Sequence, residues 1–151
     1  MSLQKFEVVK KIVQEFFEKT TFEVAIEAIK ESDGTIFVSL RTEEPQILIG
    51  EGGQTLNELQ HILKSIIRRK LGETFYLDVD INSYKKKKID YLKELAHSTA
   101  NDVALMRKEK ELPIMSAYER RVVHMELLSR EDVATKSIGE EPERKIVVSP
   151  K

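Results

Sequence analysis

The sequence predicts an α+β chain in two units. Three observations carry this. Stretches with helical spacing and stretches that strictly alternate follow one another through residue 82. A lysine run from residue 85 then opens a long helical pattern. The chain closes on a capped helix and two short alternating segments. At 151 residues, one medium domain or two small ones fit.

Taken in order, Phe6, Val9, Ile12, Val13, Phe16 and Phe17 recur at helical spacing, so 3–18 is predicted as an amphipathic helix. Phe22, Val24, Ile26 and Ala28 share one face of a strand. Ser32-Asp33-Gly34 is turn chemistry, and Ile36, Val38 and Leu40 alternate in a second strand. Pro45 opens a short helix through Ile49. Beyond a glycine loop, 53–71 places Leu56, Leu59, Leu63, Ile66 and Ile67 on one helix face, with Gly72 as its stop. Phe75, Leu77, Val79 and Ile81 alternate in a third strand. The expected first unit, 1–82, lays three strands against three helices.

The second unit, 83–151, is expected to open with a helix from Tyr84 to near Lys110. Four lysines, Lys85–Lys88, sit at its start, where cations oppose the helix dipole. They read either as a site for an anionic partner or as a soluble hinge. Leu112-Pro113-Ile114-Met115 is extended. Ser116 and Glu119 fit a capping box for a helix to about Ser129. Val133–Ile138 and Lys145–Ser149 are predicted strands, joined through Gly139 and Pro142.

Composition excludes several classes. There is no cysteine, hence no disulfide, cysteine-ligated zinc or thiol nucleophile; this fits a reducing cytosol. No apolar run reaches the roughly 18 residues of a membrane helix. The net charge is −1, but residues 1–80 sum to −4 and residues 81–151 to +3, so an anionic partner is favoured in the second part. No HExxH, P-loop or GxSxG pattern occurs, and the carboxylates show no acid–base pairing, so no enzyme, metal or cofactor is expected. His61 and His97 carry no signal beyond surface or packed residues. Tyr76 and Tyr84 read as base-stacking rings or partial core.

Two constellations remain. Gly50-Glu51-Gly52-Gly53 links two helices, and the following helix points its N-terminal amides at the loop. It reads as a phosphate site or as a tight turn. LIGEGG followed by QTLNELQHIL resembles the GXXG loop and second helix of KH domains, in the element order of the type II fold. The resemblance implies a groove for about four nucleotides, lined or shaped by Ile49, Gly50, Glu51, Gly52, Gly53 and Leu56. KH loops commonly carry basic residues where Glu51 and Gly52 stand, which implies weaker phosphate capture. In SAYERRVVHMELL, Arg120 and His124 lie at i and i+4 on one helix face. They read as a phosphate-and-base contact, or as an ordinary face with Arg120 paired to a carboxylate. PIMSAYERRVVH resembles the R-three-H domain, which binds single-stranded nucleic acid. Arg107, Lys108, Lys110 and Arg121 are expected as a basic rim.

A KH-like unit followed by a small α/β R-three-H-like unit resembles the bacterial Jag family, also called SpoIIIJ-associated or KhpB-like proteins. The resemblance implies a cytoplasmic, non-enzymatic, post-transcriptional regulator linked to cell elongation and division. Its partners would be single-stranded RNA, or single-stranded DNA, and a KH-domain protein of the KhpA type or a second copy. Family members typically carry a further N-terminal Jag domain, which is not expected in this sequence because it opens on the KH-like helix. The alternative is a protein-interaction or dimerisation module in which the glycine loop is structural.

Overall fold

The computed structural model describes all of Met1–Lys151. The chain divides into two units, Met1–Lys85 and Lys86–Lys151.

The first unit runs α1 (Leu3–Glu18), β1 (Val24–Ser32), β2 (Thr35–Thr42), α2 (Pro45–Ile49), a single 3-10 turn (Glu51–Gly53), α3 (Gln54–Leu71) and β3 (Tyr76–Ile81). Its sheet order is β1-β2-β3. β1 and β2 form a hairpin whose two-residue turn has Asp33 at φ 49° and Gly34 at φ 74°, the double left-handed turn that suits strand twist. β3 pairs parallel to β2. A parallel partner needs a crossover, and α2, the glycine loop and α3 supply it. The loop therefore sits within the connection between two neighbouring strands.

The core gathers Val9, Val13 and Phe17 of α1, Ile36, Val38 and Leu40 of β2, and Leu63 and Ile67 of α3. Two expectations fail locally. β1 starts at Val24, leaving Phe22 before the strand, and a bulge between Ile26 and Ala28 shifts the alternation so that Ile29 packs on the core; one extra residue reverses the faces. Ile66 is 40% exposed, because α3 buries only Leu56, Leu59, Leu63 and Ile67. Gly72 ends α3 in the left-handed region, its N–H donating to Arg68 O at 2.9 Å.

Lys5 ties α1 to the hairpin, donating to Glu31 at 2.5 Å and pairing with Glu73 at 2.7 Å. The Lys5 ammonium holds the Glu31 carboxyl below its ordinary range. A depressed carboxyl stabilises the fold above its unfolded pKa, and that stability is lost as pH falls through the folded value. Urea melts of Lys5→Met should therefore show a shallower loss of stability than wild type between about pH 5 and 3. An identical acid limb would show the pair contributes nothing.

The second unit contains most of α4 (Tyr84–Met106), then β4 (Lys110–Glu111), α5 (Ala117–Leu127), β5 (Val133–Ile138) and β6 (Lys145–Pro150), with sheet order β4-β6-β5. α4 stops at Met106, short of Lys110, because Arg107 turns left-handed at φ 57°. Its buried stripe is Leu92, Ala96, Thr99, Ala100 and Val103, while Tyr91 and Met106 are exposed. Ala96 and Ala100 join the second unit's core, with Val123, Leu127, Val133, Ile146 and Val148. The 112–115 segment hangs on β6: Leu112 N–H donates to Ile146 O and Met115 N–H to Arg144 O. The capping box is complete. Glu119 N–H donates to Ser116 Oγ, and Ser116 N–H to Glu119 Oε2 at 2.8 Å.

Candidate nucleic-acid interface

Pro45 starts α2 at a position where its missing N–H costs nothing, and five residues later Gly50 breaks the helix. Gly50 adopts φ 74°, ψ −178°, a region essentially confined to glycine. A Cβ there would stand 2.1 Å from Thr55 Oγ1 and 3.0 Å from Thr55 N. Gly52 (φ 60°) and Gly53 (φ 82°) are both left-handed. A Cβ on Gly53 would press on the Tyr84 ring at 3.0 Å, whereas at Gly52 it would meet open space. Of the loop amides, Gly50 N–H donates to Gln46 O, Gly53 N–H to Gly50 O, and Gln54 N–H to Glu51 O. The Glu51–Gly52 tip is exposed and faces solvent ahead of the 18-residue helix α3.

Ile49 and Leu56 lie beneath this loop, 9% and 2% exposed, within the core cluster. They shape the loop from below and offer no side chain at its surface. The Glu51 side chain is exposed.

Beside α3 the β3 edge is already occupied. Gln60 Oε1 accepts from Val79 N–H at 2.9 Å and from Lys85 Nζ at 3.2 Å, and Lys85 also pairs with Asp78. Asp80 Oδ1 accepts from Ile81 N–H at 2.9 Å and from Lys85 N–H at 3.2 Å. Of the two tyrosines, Tyr76 is 71% exposed with Lys64 Nζ 5.5 Å from its ring, while Tyr84 packs under Gly53. The Lys64–Tyr76 pair spans α3 and β3, so no local spacing in the sequence announces it.

In the second unit the expected residues separate. Arg120 is 7% exposed. Its guanidinium donates to Met115 O at 2.7 Å and to Glu141 Oε1 at 2.6 Å. It clamps the start of α5 to the β5–β6 turn, the carboxylate-paired reading of the motif. His124 is exposed, its Nδ1 sharing a 2.5 Å hydrogen bond with Thr135 Oγ1 of β5. Arg107, Lys108 and Arg121 are exposed, and Lys110 pairs with Asp102 at 2.7 Å. Of the lysine run, Lys85 and Lys88 are paired, the latter with Glu119 at 3.5 Å, and Lys86 and Lys87 remain exposed. His97, and after it Lys93, holds the Glu126 carboxyl below its ordinary range. No cluster of three or more His, Cys, Asp or Glu is placed to hold a metal. No helix is long and apolar enough to cross a membrane.

Residues 7–89 match the KH domain family, and residues 90–150 match the R-three-H domain. Three curated proteins, each named RNA-binding protein KhpB, are similar. That of Clostridium symbiosum is 31% identical over 79% of this chain and 54% of its own length. That of Bacillus subtilis is 31% identical over 82% and 60%, and that of Lactiplantibacillus plantarum 32% over 72% and 34%. The chain thus spans between about a third and three fifths of these relatives. A crystal structure of Aquifex aeolicus Era overlaps 54% of the chain and 31% of its own at TM-score 0.36 and 21% identity, too slight a likeness to argue from.

Proposed function

The chain belongs to the KH-domain family, and on that footing we propose that it binds single-stranded RNA through two modules, residues 1–82 and 83–151, as a post-transcriptional regulator. One observation carries the reading. Gly50, Gly52 and Gly53 hold a side-chain-free turn whose exposed tip stands at the positive end of α3. A backbone phosphate can approach such a tip closely. The second module adds His124, Arg121, Arg107 and Lys108 as exposed contacts, whereas Arg120 acts by holding the α5 scaffold. The similarity to proteins named for RNA binding supports the same reading. So does a chain in which two families associated with nucleic acid follow one another.

A KH-domain protein or a second copy is the protein partner this reading admits. The β1 edge is a poor place for either. It carries a bulge and the exposed Glu27–Arg41 pair, features that discourage strand addition.

The test is a titration of fluorescently labelled single-stranded RNA at several salt concentrations. Binding should weaken as salt rises. Glu51→Gln should tighten it about threefold at roughly 50 mM salt, a gain that fades as screening shortens the reach of the charge. An unchanged affinity would place the phosphates away from the loop. No binding at low salt would overturn the function itself.

A further inference from the structure

Tyr118, Arg121, Val122 and Met125 stand at i, i+3, i+4 and i+7 on α5. They form one stripe, on the side of the helix away from buried Arg120. Tyr118 is 64% exposed and Met125 56%. Across from them, Ile89 and Lys93 of α4, with Glu126 of α5, complete an open cavity of about 290 Å³, at the small end of ligand sites. The completed capping box at Ser116 and Glu119 fixes the first turn of α5, and with it the Tyr118 backbone.

The charges around this slot are sorted. Glu119 is taken by Lys88 at 3.5 Å, and Glu126 by Lys93 at 3.5 Å and His97 at 2.9 Å. Neither is left to neutralise Arg121, which is exposed. Lys86, one helical turn before Ile89, is exposed as well. Asp90 is no part of the lining. An exposed ring and a polarizable thioether flanked by unpaired cations suit a flat apolar group that carries negative charge nearby. Unpaired nucleobases stack on such rings irrespective of their identity.

We propose that this slot is a contact for the unpaired bases of single-stranded RNA, with a base stacked on Tyr118 and the flanking phosphates held by Arg121 and Lys86. It rests on the RNA-binding reading above and adds a site on the face of α5 opposite Arg120.

The experiment uses the full chain and a mixed-sequence RNA of about 12 nucleotides, beside an abasic oligomer of equal length and charge. Tyr118→Ala should weaken RNA binding about tenfold, as the loss of one stacked base does. Tyr118→Phe should bind like wild type. The abasic oligomer should bind wild type and Tyr118→Ala alike. Lys86→Gln should lower the salt slope by about one contact, a change that only this site calls for, and an unchanged slope overturns it even should Tyr118→Ala melt early. Full RNA affinity in Tyr118→Ala, on a wild type that binds, overturns this site alone. A wild type that binds no RNA overturns both readings. A dimer in sedimentation that Tyr118→Ala dissolves would make the slot a protein contact and overturn the proposal.

Discussion

Gly50→Ala is expected to cost about 3 kcal/mol of stability, and Gly52→Ala only about 1 kcal/mol, although the two glycines are two positions apart in one loop. Both have positive φ, but the similarity ends there. At Gly52 the backbone is left-handed helical and a new Cβ meets nothing, so the cost is the ordinary one of that conformation. At Gly50, ψ is near 180°, where non-glycine residues scarcely occur. The Cβ would also overlap Thr55. Rotation could move Thr55 Oγ1 away, but Thr55 Cβ at 2.8 Å and N at 3.0 Å belong to the first turn of α3. Either α3 shifts or the loop opens. A loss of this size is a large share of the stability of a small unit. Urea titration of both variants decides it, and equal costs would contradict the loop geometry. Function separates the two further. Gly52→Asp keeps the fold, since aspartate tolerates left-handed backbone well, yet adds an anion at the tip. It should lose several-fold in RNA affinity while its melt stays within about 1 kcal/mol of wild type.

Much of this fold was legible in the pattern. α1 and β5 begin and end where the periodicity places them, and Asp33-Gly34, Gly72 and the Ser116 box act as the local chemistry predicts. Each of those signals is complete within a few residues. What the pattern could not carry depends on partners distant in sequence. The β1 bulge is an agreement between β1 and β2. The parallel pairing of β3 is settled by the crossover. The Gln60–Lys85–Asp78 network joins α3, α4 and β3. The site follows the same rule. The glycine loop is local and readable, whereas the fate of Arg120 depends on Glu141, 21 residues away. Spacing alone put Arg120 and His124 on one helix face. Contact with the β5–β6 turn leaves one buried and the other exposed.

Arg120→Ala should therefore act first on stability, lowering it by about 2–3 kcal/mol, and only secondarily on RNA binding. The guanidinium makes two bonds, to the Met115 carbonyl at 2.7 Å and to Glu141 at 2.6 Å. They do not weigh equally. The Glu141 side chain is 57% exposed and rehydrates when its partner is removed, so the ion pair itself contributes modestly. The Met115 carbonyl sits beside a residue only 7% exposed and would lose a charge-assisted bond. The aliphatic stem of Arg120 would leave a void as well. Arg120→Lys should recover about half of the loss, because one ammonium cannot span two acceptors as a planar fork does. His124→Ala provides the contrast. An exposed side chain with one bond to Thr135 should change stability by no more than about 0.5 kcal/mol, so its effect on affinity reports contact directly. Melts and RNA titrations of the three variants, run at a temperature where all are folded, separate scaffold from contact. If Arg120→Ala proved as stable as wild type but failed to bind RNA, the guanidinium would have to leave its clamp to reach the ligand, and the buried arrangement would be a resting state.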